Sequence, residues 1–374
     1  MNKTSNKELK ISIFTTKWGH FSIAKGIEDL LKDSNANIYM NSIKLESLSD
    51  HSYSVIYRLF PQFYKVPFKI ANHSHISKLA KSYFKNAYKK DIKSIFDKQK
   101  PHVVINTYLG FIPVLEEIAQ KYPFLNLNVV ADPRTFHPLE ISTTAYNLLF
   151  DKKAIHKCKK FGAKENKCIV SGWFVRKEFQ ENYNKLEVRE ELVFQPETLT
   201  FCIIGGSEGA YGILKILPAL LNPSNPLQVV IICGNNTQLL NAVRGFVKIN
   251  KIQNNGNVTF TPIGFSEKID RYIKSSDLVI GKAGPNLLFE TVATKTPFFA
   301  ISHISGQEDG NLEIINENNL GYVEENPVKA NKILKEIIRN PQQLQKFEKS
   351  LIKMANYNSR ASSKLKKFIG DKLT

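Results

Sequence analysis

The most informative chemistry in this sequence lies in residues 281–311. A short apolar run is followed by the small residues Ala283 and Gly284, and Pro285 then opens a helical pattern that carries Glu290. Backbone N–H groups at a helix start, together with the helix dipole, favour a bound phosphate. A carboxylate further along such a helix can accept hydrogen bonds from two neighbouring ribose hydroxyls. The alternative is an ordinary strand-helix-strand unit with an incidental glutamate.

A second polar segment and a glycine-rich turn belong to the same half of the chain. Residues 306–309 read Gly-Gln-Glu-Asp after an apolar run that ends at Ser302. Residues 205–210 read GGSEGA after the apolar run LTFCII, so glycine backbone can approach a ligand closely there. The glycine spacing matches neither the GxGxxG dinucleotide motif nor a P-loop. A tight connection between two elements is the alternative.

Two titratable residues in the first half follow predicted strands. His20 comes after the apolar run 10–15 and opens a helical pattern, at the carboxyl end of a strand, where open sheets bind ligands. A histidine in that place can act as a general base. Asp132 follows the run 126–131 and could orient His20 or act as the base itself. A capping histidine and a turn aspartate before Pro133 are the alternatives.

Residues 51–100 combine positive charge with aromatic rings. They hold eleven Lys or Arg against two Asp or Glu, and ten Phe or Tyr. Such a composition is typical of a segment at a membrane interface. It also suits a platform for single-stranded nucleic acid, or a core helix with a solvated basic face.

The elements that must position these groups alternate between strand and helix. In the first half we predict strands at 10–15, 37–43, 102–106, 126–131, 145–150 and 168–170. In the second half we predict strands at 199–204, 227–233, 258–262, 277–280 and 297–302. This alternation predicts two mostly parallel α/β sheets. We expect two domains, 1–185 and 186–374, with the last helix packing back on the first domain as an open alternative.

Composition and charge set the broad class. At 374 residues the chain can hold two globular domains. The net charge is +18, of which +14 lies in residues 1–185 (30 Lys or Arg against 16 Asp or Glu) and +4 in residues 186–374 (22 against 18). This asymmetry favours an anionic membrane face or nucleic acid as partner of the first half, with compositional drift as the alternative. We expect no transmembrane helix, no secretory signal, and reduced thiols rather than disulfides or zinc.

Seven motifs, taken in order, resemble glycosyltransferase family 28. They are Gly19-His20, VVADPRTFHP at 129–138, SGWFVRKEF at 171–179, GGSEGA at 205–210, IGF at 263–265, GKAGPNLLFE at 281–290 and GQEDGN at 306–311. That family includes monogalactosyldiacylglycerol synthases, bacterial diacylglycerol glucosyltransferases and the enzyme that adds N-acetylglucosamine to the lipid-linked peptidoglycan precursor. The resemblance implies an α/β, GT-B fold with two Rossmann-like, doubly wound domains facing each other across a cleft.

The resemblance also implies roles for individual residues. His20 would be the general base for the acceptor hydroxyl, with Asp132 as a supporting carboxylate. The donor site, which would use no metal and no cofactor beyond the UDP-sugar co-substrate, would contain Gly206, Ser207, Gly209, Phe265, Ser266, Gly284, Asn286, Glu290, Gln307 and Glu308. Acceptor or membrane contacts would come from Trp18, Tyr57, Phe60, Phe63, Tyr64, Lys65, Phe68 and Lys69.

Two motifs depart from the family pattern. Only Gly19 precedes His20, where the family usually has two or three glycines. The large side chain of Trp18 would narrow the space for a ligand in front of His20. Pro285 and Leu287 replace a glycine and a threonine, so that one N–H donor and one hydroxyl donor to phosphate are lost. These changes bear on donor identity and donor affinity.

Together, the resemblance and the charge pattern predict an inverting, metal-independent hexosyltransferase. It would move a sugar from a UDP-sugar to diacylglycerol or to a polyprenyl-linked lipid. We expect a cytoplasmic protein that is peripherally bound to an anionic membrane surface and binds no nucleic acid. A non-catalytic family member that binds lipid or nucleotide, and a UDP-sugar epimerase, are the alternatives.

Overall fold

Two compact units, each built on one parallel sheet, make up the described part of the chain. The computed structural model describes residues 8–44, 74–206, 211–253 and 257–373. The first unit contains residues 8–44, 74–177 and 357–373, and the second contains residues 178–206, 211–253 and 257–356. The prediction of two parallel α/β sheets is confirmed.

In the first unit, six strands pair in parallel in the order β2-β1-β3-β4-β5-β6. The strands are β1 (Leu9–Thr15), β2 (Ala36–Ser42), β3 (Val103–Asn106), β4 (Leu125–Val129), β5 (Tyr146–Leu149) and β6 (Cys168–Val170). Parallel strands covered on both faces read as continuous apolar runs, which is why the sequence locates most of them closely. The exception that matters is β4, because it ends at Val129 and Asp132 therefore lies in the following loop.

The helices of the first unit follow these strands. They are α1 (Gly19–Leu31), α2 (Ser74–Gln99), α3 (Ile112–Ala119) and α4 (Lys152–Lys160), with short 3₁₀ helices at Leu109–Phe111, Pro138–Glu140 and Glu165–Lys167. In α1 the buried residues Ile23, Ile27 and Leu31 recur every four positions and form one apolar face. A further short helix, α5 (Lys177–Gln180), begins at the last residue of this stretch of the unit.

In the second unit, six strands pair in parallel in the order β12-β11-β10-β7-β8-β9. The strands are β7 (Leu199–Ile204), β8 (Leu227–Ile232), β9 (Val258–Ile263), β10 (Leu278–Lys282), β11 (Phe298–Ser302) and β12 (Gly321–Val323). The helices are α6 (Lys185–Glu191), α7 (Thr237–Gln253), α8 (Ile269–Ser275), α9 (Pro285–Ala293), α10 (Asp309–Glu317) and α11 (Pro327–Arg339), with 3₁₀ helices at Tyr211–Leu220 and Pro341–Phe347.

The last helix, α12 (Glu348–Leu373), ends among residues of the first unit. The hydroxyl of Tyr357 donates to the carbonyl oxygen of Phe150 at 2.8 Å. The side-chain carbonyl of Asn358 accepts from the backbone N–H of Trp173 at 3.0 Å. Asn358 is 5% exposed, so this bond satisfies a backbone group that is buried with it.

A buried polar network crosses the first sheet. Asn106, Asn128 and Asn147 are paired residues of β3, β4 and β5, and we call them the asparagine ladder. Asn106 Nδ2 donates to Asn128 Oδ1 at 2.9 Å, and Asn128 Nδ2 donates to Asn147 Oδ1 at 2.9 Å. Asn128 also donates to the carbonyl oxygen of Glu140, and Asn106 Oδ1 accepts from the N–H of Tyr108 at 3.2 Å. The ladder therefore ties the loops after β3 and β4 to the sheet.

Three further observations concern only the described residues. None of the helices there combines the length and the apolar character needed to cross a bilayer. No group of three or more His, Cys, Asp or Glu side chains there is arranged to hold a metal ion. All four cysteines are free thiols, and the sulfurs of Cys158 and Cys168 lie 3.4 Å apart.

Candidate active site

The strand order of the second sheet defines where a ligand can bind. β8 follows β7 in the chain and pairs with one side of it, whereas β10 pairs with the other side. In open parallel sheets the crevice at such a reversal receives the ligand, outside the carboxyl ends of the strands. Gly205 and Gly206 follow β7 there, and Gly206 has a φ of 79°, which favours glycine. Ser207 and Gly209, predicted to line the same site, lie outside the described residues.

Gly281 allows β7 and β10 to approach closely at this reversal. It pairs with Ile204, the last residue of β7. A Cβ atom on Gly281 would lie 2.8 Å from the carbonyl oxygen of Ile204 and 3.0 Å from Leu287 Cδ2. Any other residue would therefore push β7 away from β10 or from α9.

The start of α9 presents backbone without an intervening side chain. Gly284 is the N-cap residue, its φ is −71° and its ψ is 140°, and Pro285 occupies the first turn. A Cβ atom on Gly284 would lie 3.3 Å from Lys282 Nζ and 3.6 Å from Glu308 Oε1. A glycine here therefore leaves space beside an ammonium group and at the positive end of a helix dipole, which is the chemistry of an anion site.

Lys282 and Glu308 form an ion pair beside this space. Their side chains are 11% and 5% exposed, so the pair is shielded from solvent. The second carboxylate oxygen, Glu308 Oε2, accepts from the N–H of Ile304 at 2.6 Å. The turn itself is held from α10, because Asn311 Nδ2 donates to the carbonyl oxygen of Ala283 at 2.8 Å.

Glu290, which is predicted to bind the ribose hydroxyls, and other predicted donor residues lie on or near α9. Glu290 is buried at 6% exposure in that helix, and Asn286, half-buried, is its second residue. Gln307 is half-buried in the loop between β11 and α10. The structure thus brings Gly284, Asn286 and Glu290 onto one helix, with Glu308 directly beside the start of that helix.

Phe265 and Ser266 follow β9, at the edge of the same sheet. The Phe265 side chain is 61% exposed, which is high for a large apolar ring. Ser266 Oγ accepts from the N–H of Lys268 at 3.1 Å and closes a short turn before α8. The predicted base-reading loop is therefore an exposed turn that offers backbone groups and an uncovered ring.

His303 was not among the residues that the sequence pointed to. It follows β11 directly, and its side chain is 15% exposed. Nδ1 lies 2.9 Å from Glu325 Oε1, and Nε2 lies 3.0 Å from Asp309 Oδ1. Burial alone would lower the pKa of His303, but the hydrogen bonds and charges of these carboxylates outweigh it, so the pKa is raised.

In the first unit the strand reversal lies between β1 and β3, and His20 belongs to it. His20 is the second residue of α1, and its Nδ1 donates to the carbonyl oxygen of Thr107 at 2.6 Å, because a carbonyl oxygen can only accept. Thr107 is itself fixed to β1, since its hydroxyl lies 2.8 Å from that of Thr15 and its N–H donates to the carbonyl oxygen of Phe14. A neutral His20 therefore carries its proton on Nδ1 and its lone pair on Nε2.

The His20 imidazole contacts the edge of an aromatic cluster. The ring of Tyr108 meets it edge-to-face with centroids 5.2 Å apart, and Phe84, Tyr88 and Phe111 pack against Tyr108 in turn. Burial lowers the pKa of His20 to about 4, against the opposing effect of the Thr107 hydrogen bond. His20 is consequently neutral at pH 7 and able to accept a proton.

Asp132 lies in a loop with a second buried carboxyl group. Asp132 and Glu140 are 7% and 6% exposed, and Glu140 Oε1 accepts from the N–H of His137 at 2.8 Å. Burial, followed by the charge of Asp132, raises the pKa of Glu140 well above its ordinary value. The support of His20 by Asp132 stays a prediction.

The predicted acceptor and membrane residues fall mostly outside the described part of the chain. Tyr57, Phe60, Phe63, Tyr64, Lys65, Phe68 and Lys69 all lie in residues 45–73, outside the described residues. Trp18 is described, as the N-cap residue of α1. Its φ of 56° belongs to the left-handed region, which glycine adopts most readily. This backbone conformation fits the expected family pattern, which has a glycine at the position of Trp18.

Helix α2 continues the basic and aromatic segment into the described residues. Its exposed face includes Leu79, 72% exposed, and Tyr83, 55% exposed. Lys85 and Lys89 both bond to Glu117 of α3, at 3.0 and 2.9 Å, and so fix α2 on the unit. The helix thus holds apolar and cationic side chains together at the surface.

Comparison with known proteins agrees with these observations. Residues 200–369 match the glycosyltransferase family 28 C-terminal domain. Residues 21–175 match the monogalactosyldiacylglycerol (MGDG) synthase family. The predicted resemblance to glycosyltransferase family 28 is confirmed by these two matches, one in each half of the chain.

Individual relatives are distant in sequence but similar along most of their length. Monogalactosyldiacylglycerol synthase 2, chloroplastic, of Arabidopsis thaliana is 23% identical over 355 residues, which cover 88% of this chain and 73% of that protein. Processive diacylglycerol beta-glucosyltransferase of Bacillus licheniformis is 24% identical over 320 residues, covering 82% and 80%. The crystal structure of Acinetobacter baumannii MurG has a TM-score of 0.58 at 14% identity, covering 96% of this chain and 99% of that chain. The predicted α/β, GT-B fold is confirmed.

Proposed function

Because this chain is a glycosyltransferase related to family 28, we propose that it transfers a hexose from a UDP-sugar to the hydroxyl group of a lipid. The transfer inverts the anomeric carbon and requires no metal ion or other cofactor. The acceptor is diacylglycerol or a polyprenyl-linked lipid, and the enzyme works peripherally on the cytoplasmic face of an anionic membrane. Two relatives whose names state an action on or synthesis of diacylglycerol lipids support the acceptor class.

The observation that carries the proposal is the anion site at Gly284. The glycine N-cap of α9 lies beside the Lys282 ammonium group, and Gly281 lets the ends of β7 and β10 approach closely. Helix dipole, N–H groups and one ammonium can stabilise the charge that a departing diphosphate gains. This set of donors supports a reaction that relies on the protein for charge stabilisation.

The other donor contacts in this proposal come from the family resemblance. Gly284 and Asn286 would lie beneath the diphosphate. Gly206, together with Ser207 and Gly209 outside the described residues, would line the phosphate side of the donor. Glu290, one helix turn and a half further along, holds the ribose hydroxyls. The backbone at Phe265 and Ser266 reads the uracil, while Gln307 and Glu308 contact hydroxyl groups of the transferred sugar.

His20 acts as the general base in this proposal. The attacking hydroxyl must lose its proton as the new bond forms, and the lone pair on His20 Nε2 can take it. The low pKa keeps the imidazole neutral and so able to accept a proton. Asp132 would support this role as the predicted carboxylate partner.

The charge of the first half supports the membrane assignment. Lysines and exposed apolar side chains occur together on α2, as with Leu79 and Tyr83. Each lysine near an anionic surface adds about 1 kcal/mol of attraction, and apolar groups insert among the headgroups. In the proposal, Trp18 contacts the same membrane, as do the aromatic residues predicted in segment 45–73, which lies outside the described residues.

A transfer assay with a panel of donors tests the function. The purified chain is incubated with UDP-glucose, UDP-galactose or UDP-N-acetylglucosamine and vesicles of phosphatidylglycerol that contain diacylglycerol or undecaprenyl phosphate. We expect one donor to give a glycolipid by mass spectrometry, with the inverted anomeric configuration by NMR and an unchanged rate in EDTA. UDP binding without any transfer would favour the non-catalytic alternative, and absence of both would contradict the proposal.

A further inference from the structure

We propose that His303 is a positioning residue for donor binding: as an imidazolium held between two carboxylates, it braces the sugar-binding loop against the end of β12. The sugar-binding loop is defined as residues 304–308, between β11 and α10. The inference rests on the proposed function, because it assumes that Gln307 and Glu308 in this loop contact the sugar.

The hydrogen bonds of His303 require both ring nitrogens to carry a proton. Nδ1 bonds to Glu325 Oε1 at 2.9 Å and Nε2 bonds to Asp309 Oδ1 at 3.0 Å. An ionised carboxylate oxygen can only accept, so each nitrogen must donate. A neutral imidazole has one N–H and can keep only one of the two bonds. The geometry therefore describes a cation that joins two elements, and loss of one proton breaks the connection on one side.

The bond to Asp309 shapes the sugar-binding loop. Asp309 is the first residue of α10, and its Oδ1 also accepts from the N–H of Gly306 at 2.7 Å. Inside the loop, the N–H groups of Gln307 and Glu308 donate to the carbonyl oxygen of Ile304 at 3.2 and 2.8 Å. These bonds fold the loop back on itself, and His303 connects the folded loop to a neighbouring strand end.

The bond to Glu325 extends the connection toward the glycine-rich turn. Glu325 follows β12, and its carbonyl oxygen accepts from Lys215 Nζ at 2.8 Å. Lys215 belongs to the 3₁₀ helix Tyr211–Leu220, which begins directly after residues 207–210. One series of contacts therefore joins the sugar-binding loop to the element that follows the predicted phosphate-binding turn.

The charged groups around His303 set the direction of its pH dependence. Asp309 and Glu325 face the ring, and Lys215, held near Glu325 and Glu324, is the cation on the opposite side of Glu325. The two carboxylates raise the pKa of His303 above its ordinary 6.5. A raised pKa means that the brace is complete below about pH 6.5 and is lost as pH rises through the higher value of the folded protein. Since Asp309 and Glu325 are 43% and 40% exposed, salt should weaken the brace.

Hydrogen exchange tests the brace without any ligand. We compare the peptide that covers residues 303–309 in the wild type, His303→Gln and His303→Arg, with His156→Gln on the exposed face of α4 as the matched control. Gln can replace only one donor, so exchange at about pH 6 should rise roughly threefold to tenfold over the wild type, the effect of one lost hydrogen bond. Arg is always charged and has several donors, so its protection should persist at high pH. Equal exchange in the wild type and His303→Gln at every pH would overturn the proposal.

Donor affinity supplies the second readout. Calorimetry measures UDP and each of the three UDP-sugars against the same variants between about pH 6 and about pH 9, from below to well above the ordinary pKa of histidine. For the UDP-sugar that binds best, wild-type affinity should fall roughly threefold to tenfold across this range relative to His303→Arg, while UDP alone changes much less. Glu325→Ala, which removes the acceptor of the Nδ1 bond, should resemble His303→Gln. A His303→Gln protein with wild-type affinity at low pH would contradict the inference, and a wild type that binds no UDP at all would instead contradict the proposed function.

Discussion

The strand reversals of the two units hold their functional groups by different means. Between β1 and β3, the His20 side chain is fixed by a backbone carbonyl, that of Thr107, and meets the aromatic ring of Tyr108. Between β7 and β10, glycines expose backbone and an ion pair of Lys282 and Glu308 lies beside them. A base must be dehydrated and neutral, whereas a diphosphate needs fixed positive dipoles. In the proposed mechanism, the same sheet topology thus serves two kinds of chemistry, because the segments after the strands differ.

The two histidines show the same contrast in their response to pH. Burial lowers the pKa of His20 to about 4, so its neutral form, and the stability that this form gives, is present above about pH 6.5 and is lost as pH falls toward 4. The carboxylates at His303 raise its pKa, so its contribution is lost in the opposite direction. Both histidines are in their functional state only within a middle range of pH.

Removal of the proposed base, His20, should have the largest effect on activity. It is the most direct test of the difference between the two strand reversals. We expect His20→Ala to lower kcat by about 10² to 10⁴, the usual contribution of a general base. UDP affinity should stay within about twofold, because the donor contacts lie in the second unit. Steady-state kinetics and calorimetry measure the two quantities, with His156→Ala as the control. A His20→Ala enzyme with wild-type kcat would remove His20 from the mechanism.

Removal of Glu290, the proposed ribose-binding residue, should weaken donor binding instead of lowering kcat. Glu290→Ala deletes a buried carboxylate, and hydrogen bonds to a charged group contribute about 1.5–3 kcal/mol, so UDP affinity should fall roughly tenfold to hundredfold. Glu336→Ala, an exposed glutamate of α11, is the matched control. Unchanged UDP affinity in Glu290→Ala, with a folded protein by circular dichroism, would count against the ribose assignment.

The asparagine ladder should make the first sheet less tolerant of substitution than the second. Asn128→Leu leaves Asn106 and the Glu140 carbonyl without their buried partner, which should cost about 1–3 kcal/mol of unfolding free energy. Ile231→Val, in the completely buried β8, removes one methylene and should cost about 0.5–1.5 kcal/mol. Urea denaturation measures both. A smaller loss for Asn128→Leu than for Ile231→Val would reverse the contrast between the sheets.

The smallest expected effect tests why the pKa of His20 is low. Tyr108→Leu removes the ring that meets the imidazole and admits water, so the pKa of His20 should rise by about one unit from its value of about 4. Tyr108→Phe keeps the ring and should leave the pKa unchanged. NMR titration of the His20 ring proton measures it, and the acid limb of the rate should move to higher pH by the same amount. An identical pKa in both variants would assign the low value to other groups.

The sequence predicted the strands and the donor helix more fully than the contacts among side chains. Buried parallel strands and the Pro285 helix start have local signatures, so β7 and the first residue of α9 were predicted correctly. The three-residue strand β12 was not predicted. The bond of His20 to Thr107 joins residues 87 positions apart, and no local pattern reports it. For the side-chain network of the first sheet, the sequence did hold an indication, because Asn106 and Asn128 are polar residues within predicted strands. The sequence did not point to His303, because its proposed role depends on Asp309 and Glu325 lying beside it in the folded protein.

Gly281 sets a limit on how this donor site can be altered. Because a Cβ atom there would meet the Ile204 carbonyl oxygen at 2.8 Å, every mutation at position 281 separates the two strand ends that hold the phosphate-binding turns. A library that aims to change sugar preference should therefore keep position 281 constant and randomise Gln307, a half-buried residue of the sugar-binding loop. Natural diversification of the donor is expected to follow the same route.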